Sequence, residues 1–92
     1  MTEGKHLSIY ITGRVQGVFY RKSTLEKARE LGIKGWVKNL ENGSVQIEAE
    51  GDHDKLESLV EWAKQGPDNA EVLQVKANES EWEGYENFEI RH

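Results

Sequence analysis

Apolar and polar residues alternate from Lys5 to Thr12, with Leu7, Ile9 and Ile11 on one side and Ser8, Tyr10 and Thr12 on the other. A two-residue period belongs to a strand with one covered face. The pattern breaks at Gly13-Arg14-Val15-Gln16-Gly17-Val18-Phe19-Tyr20-Arg21, whose glycines predict a loop. From Lys22 to Leu31 the composition turns helical, with Leu25, Ala28 and Leu31 at regular spacing and Gly32 where a helix stop is expected.

Ile33 to Leu40 predicts a second strand, in which Ile33, Gly35, Val37 and Asn39 share a face and Lys38 points away from it. Asn42-Gly43 is a tight-turn signal, and Ser44 to Glu50 follows as a strand with Val45, Ile47 and Ala49 inward. Asp52 is placed to cap a second helix, where Leu56, Leu59, Val60 and Ala63 keep helical spacing until Gly66-Pro67. Ala70 to Ala77 alternates again, Asn78 to Asn87 is polar, and Phe88 with Ile90 marks a short last strand. The order is strand, helix, strand, strand, helix, strand, plus the short extra strand. That is an α+β, ferredoxin-like βαββαβ arrangement, with two helices on one face of a mainly antiparallel sheet.

Such a topology places the third strand between the first two and makes those two parallel, joined by a right-handed crossover. Their C-terminal ends then lie at one edge of the sheet. The Gly13–Arg21 loop and Asn39 therefore meet near the start of the first helix.

The chain has 92 residues, which predicts one domain over 1–92. Its apolar fraction of 36% is modest, and Trp36 and Trp62 are expected to help fill a two-layer core. Cysteine is absent, which excludes disulfides, thiolate metal sites and a cysteine nucleophile. His6, His53 and His92 form no spaced pair, so they read as solvated surface residues rather than a metal site. A net charge of −5 disfavours nucleic-acid binding and makes a local cationic site stand out. Met1 to Lys5 lacks the apolar core of a signal peptide, and no segment is long enough to span a bilayer. The expectation is a soluble, cytoplasmic protein without a metal or other cofactor.

Glycines at 13 and 17 allow successive N–H groups to converge into an anion-binding nest, which here feeds a helix N-terminus. Arg21 stands at that junction and can bind a phosphoryl group through two parallel hydrogen bonds. Taken alone, each feature has a plain alternative. Glycine-rich turns are more often simple connections, and an arginine in a first helical turn is usually solvated. Asn39 could equally cap the Glu41-Asn42-Gly43 turn. Arg14 and Lys22 read as surface charges. Tyr20, Trp36 and Trp62 read as packing residues, with Trp36 near the site rim.

Gly13 to Arg21 resembles the N-terminal signature of the acylphosphatase family. Gly35-Trp36-Val37-Lys38-Asn39, then Gly43-Ser44-Val45 and Glu50-Gly51, is similar to its second signature, and Tyr85 to Arg91 to its C-terminus. The resemblance implies a monomeric, metal-independent hydrolase that cleaves the carboxyl-phosphate bond of small acyl phosphates. It implies that Arg21 binds phosphate and that Asn39 positions the attacking water. The main-chain N–H groups of Val15, Gln16, Gly17, Val18, Phe19, Tyr20 and Arg21 would hold the phosphoryl group. Phe19 stands where the family often has a small residue, and Tyr20 where phenylalanine is usual, implying a narrower site or a changed rate. The alternatives carried forward are a non-catalytic anion-binding module and a single-stranded RNA binder.

Overall fold

A computed structural model describes residues 4–92. The expectation for Met1–Lys5 therefore lies partly outside the described residues. The alternating segments form β1 (Gly4–Arg14), β2 (Lys34–Asn39), β3 (Val45–Asp52), β4 (Glu71–Ser80) and β5 (Phe88–Arg91). The segments with helical spacing form α1 (Tyr20–Leu31) and α2 (His53–Gln65). The strands make one five-stranded sheet in the order β4-β1-β3-β2-β5. β3 runs antiparallel to both β1 and β2, as the crossover rule requires. β5 extends the sheet by pairing parallel to β2, with Lys38 opposite Arg91.

Alternation decides which residues enter the core. Ile9, Ile11, Val37, Val45, Ile47 and Ala49 are buried against Ala28, Leu56, Leu59 and Ala63 of the helices. Burial of each large aliphatic side chain contributes about 1.5–3 kcal/mol. Tyr20 is buried with them, its ring 5.5 Å from that of Trp62 and its hydroxyl donating to Ala63 O at 2.8 Å. Trp62 is only half-buried at the edge of this core.

Several boundaries move. Gly13 and Arg14 belong to β1, and Tyr20 and Arg21 to α1, so the loop proper is residues 15–19. β4 continues into the polar stretch as far as Ser80, because pairing with β1 sustains it. Asp52 is the N-cap of α2 but makes no side-chain capping bond.

Two placements correct the sequence reading. Trp36 does not join the helix-side core or the rim of the site. It alternates with Val37 onto the opposite face, donates from Nε1 to Tyr85 Oη at 3.2 Å, and lies under the Arg91 guanidinium at 4.8 Å. His6 is not solvated but 3% exposed. Its Nδ1 and Nε2 meet Glu50 Oε2 at 2.8 Å and Glu48 Oε1 at 2.7 Å. Residues 81–87, between β4 and β5, cover this face. Glu50 accepts from the backbone N–H groups of Glu83, Gly84 and Tyr85. Among the described residues no helix is long and apolar enough to cross a membrane.

Candidate active site

β1 delivers the chain to the top of the sheet, where Gly13 adopts φ 128 at a register shift against β4. A Cβ there would collide with Glu71 O, so this glycine serves close strand packing rather than the anion nest. Gly17, at φ 73, does lie in the loop, and its Cβ position is open space. Its backbone angle, not crowding, calls for glycine.

The loop is held by its side chains. Val15 and Val18 are buried in the core, and Gln16 Nε2 donates to Leu40 O at 2.8 Å and Ser44 O at 2.9 Å. With the side chains occupied elsewhere, the main chain stays available. None of the N–H groups from Gln16 to Lys22 donates to a protein acceptor among the described residues. Phe19 occupies the N-cap position of α1 without a capping bond, and the first turn carries no acidic residue. Free N–H groups and the helix dipole together favour an anion here.

A cavity of about 360 Å³ opens at this point, lined by Val15, Gly17, Phe19, Tyr20, Arg21, Lys22, Asn39, Ile90 and His92. The structure thus brings together the two elements that topology predicted would meet, the loop with Arg21 and the end of β2 with Asn39. Arg21 is half-buried and has no carboxylate partner among the described residues. Its Nη1 donates to Arg91 O at 3.3 Å and to His92 Nδ1 at 3.2 Å. Asn39 Oδ1 is buried without a hydrogen-bond partner among the described residues. Leaving a buried acceptor unpaired costs about 1–3 kcal/mol, so this oxygen is suited to a water or ligand donor. The turn-capping role falls to Asn42 instead, whose Oδ1 accepts from Ser44 N–H at 3.0 Å. Arg14 and Lys22 are exposed, as expected, although Lys22 also borders the cavity.

An array of N–H donors, a guanidinium and a dipole-bearing helix end match a phosphoryl-sized dianion. The sequence profile of the acylphosphatase family matches residues 7–90. The chain belongs to the acylphosphatase family. It is similar to an acylphosphatase of Thermococcus kodakarensis, 48% identical over 92% of this chain and 91% of that one. An acylphosphatase structure from Coxiella burnetii superposes with a TM-score of 0.93 at 41% identity, covering 96% of this chain and 93% of that one. One from Bacillus subtilis gives 0.93 at 37% identity, covering 96% and 99%.

Four features at this acylphosphatase cavity were not legible in the sequence: the arrival of Ile90, that of His92, the side-chain bridge of Gln16 and the backbone conformation of Phe19. Ile90 and His92 arrive only because β5 pairs parallel to β2, a choice that leaves no local pattern. The sequence gives Gln16 only a main-chain role, but its side chain ties the loop to the turn that follows Asn39. Phe19 adopts φ 63 and ψ 24, the one non-glycine with positive φ among the described residues. This conformation costs a bulky residue about 1–2 kcal/mol, which explains why a glycine suits the position.

The Gln16 bridge carries a prediction. In Gln16→Ala the loop and the Asn39 strand end are no longer fixed to each other. We expect kcat on acetyl phosphate to fall about tenfold with little change in KM, since small misplacements act on the chemical step. Steady-state kinetics check this; an unchanged kcat would remove Gln16 from the positioning role.

Proposed function

We propose that this acylphosphatase binds the phosphoryl group of its substrate between Arg21 and the loop N–H groups from Val15 to Arg21, while Asn39 orients the attacking water. The observation that carries this reading is the convergence on one cavity of unpaired N–H donors and an unpartnered acceptor, Asn39 Oδ1. Donors suit the phosphoryl oxygens. The acceptor suits a water proton. The water oxygen bonds to phosphorus as the bond to the acyl oxygen breaks, and that electron pair leaves on the carboxylate. One water proton passes to a phosphate oxygen of the substrate.

A carboxylate leaves without protonation at neutral pH, so no general acid is needed. The demand is for positioning and charge stabilisation, which fixed N–H groups and a guanidinium can meet without a metal ion. Its substrates are small acyl phosphates, a class that needs neither nucleic acid nor membrane for recognition. The same reading takes 1–92 as one domain and the enzyme as a monomer. It places the enzyme in the cytoplasm.

Phosphate release from acetyl phosphate in EDTA tests the reading, with Asn39→Ala as the comparison. Turnover should persist in EDTA, and kcat should fall about a hundredfold in the variant, the size of effect seen when one fixed polar group at a transition state is lost. Phosphate binding by calorimetry without turnover in the parent would favour the non-catalytic module instead.

A further inference from the structure

Phe19 combines three features that packing does not explain. Its backbone is held in the left-handed region at φ 63. Its side chain is 73% exposed, so the ring gains little from the core in return. It also borders the cavity, together with Ile90, beside Arg21 and Asn39. Strained residues persist where the surroundings over-determine them, and they cluster at functional sites. An exposed aromatic ring at the mouth of a polar cradle offers a flat apolar surface to whatever protrudes from that cradle.

The reaction geometry says what protrudes. In an in-line displacement the water and the leaving carboxylate lie on opposite sides of phosphorus. Asn39 reaches the cavity from β2, whereas Phe19 reaches it from the start of α1. With water on the Asn39 side, the acyl group points away from Asn39 toward the cavity mouth, where the exposed Phe19 ring is an apolar surface it can meet. We propose that Phe19 is a specificity residue that packs on the acyl group and makes aromatic acyl phosphates preferred substrates. The proposal rests on the reading of the cavity as an acyl phosphate site. The phosphoryl group is common to all substrates and is held by the cradle, so the ring acts on discrimination among acyl groups.

The test is the ratio of kcat/KM for benzoyl phosphate to that for acetyl phosphate in the parent, Phe19→Ala, Phe19→Gly and Phe19→Trp. The parent should favour benzoyl phosphate. Phe19→Ala should lower the ratio about fivefold to tenfold, the scale of one aromatic stacking contact. Phe19→Gly suits the left-handed backbone and guards against a folding artefact; its ratio should fall alike. Phe19→Trp should keep the ratio. A ratio the same in the parent, Phe19→Ala and Phe19→Gly overturns the proposal while leaving the acyl phosphate reading intact. Failure of the parent to hydrolyse either substrate overturns both.

Discussion

Arg21→Ala should lower kcat/KM for acetyl phosphate about a thousandfold, the scale on which a transition-state arginine acts in phosphoryl transfer. That factor corresponds to about 4 kcal/mol of lost transition-state stabilisation. The size follows from the setting of the side chain. Arg21 is half-buried, borders the cavity and is oriented by acceptors at the end of β5, Arg91 O and His92 Nδ1. No carboxylate neutralises it among the described residues, so its charge is available to a bound anion. The loop N–H groups remain in the variant, and they should preserve weak phosphate binding and residual turnover. Arg21→Lys keeps the charge but loses the planar fork, and it should recover only a small part of the loss. Kinetics of both variants, with inorganic phosphate as a competitive inhibitor, check the expectation. A rate close to the parent's in Arg21→Ala would remove the guanidinium from the chemistry.

The second large effect concerns stability. Glu50→Ala should destabilise the fold by about 3–5 kcal/mol, the usual cost of removing one member of a buried ion pair. Glu50 is 1% exposed and serves two groups at once. It faces His6, and it accepts from the N–H groups of Glu83, Gly84 and Tyr85. Burial by itself would raise the Glu50 pKa, but the three backbone donors and His6 hold it below 4.5. Burial by itself would lower the His6 pKa, but Glu48 and Glu50 raise it above 6.5. The Glu50 contribution is therefore present above pH 4.5 and is lost as pH falls through its depressed folded value. The His6 contribution is complete below pH 6.5 and is lost as pH rises through its elevated folded value.

Both contributions are full between pH 4.5 and 6.5, so the melting temperature should peak in that window. His6→Gln should flatten the alkaline side of the profile, and Glu50→Gln should weaken both sides. Thermal melts from acid to neutral pH check this, and a parent profile that rises steadily to pH 8 would contradict it. The cluster also anchors residues 83–85 just ahead of β5, the strand that brings Arg91 O and His92 to Arg21. Loosening it should therefore reach the active site as well.

Much of this protein is decided locally. The two-residue period selects Ile9, Ile11, Val37, Val45 and Ile47 for the core, because a strand sends alternate side chains to opposite faces. The same period, with the handedness of the crossover, puts Asn39 on the face and at the edge where the loop ends. Helix starts and stops follow from glycine and from changes of period. The period and the stops need only neighbouring residues, and the crossover has one favoured hand once the order of elements is known, so these can be read from the sequence.

Other features depend on contacts between distant segments. His6 alternates onto the same face as Ser8 and Tyr10, and nothing in β1 says whether that face meets water. It is closed by residues 81–87, through acceptors on β3 and N–H donors that lie far along the chain. The parallel pairing of β5 with β2 supplies Ile90 and His92 to the cavity, and the Gln16 bridge joins the loop to the hairpin turn. The left-handed backbone at Phe19 is likewise imposed from outside, since a phenylalanine has no local preference for it. The sequence by itself determined the strands, the helices and the meeting of Arg21 with Asn39. Only the tertiary structure decided which polar groups are buried, which stay unpaired and what lines the cavity beside the Gly17 loop, because burial and partnership are properties of packed segments.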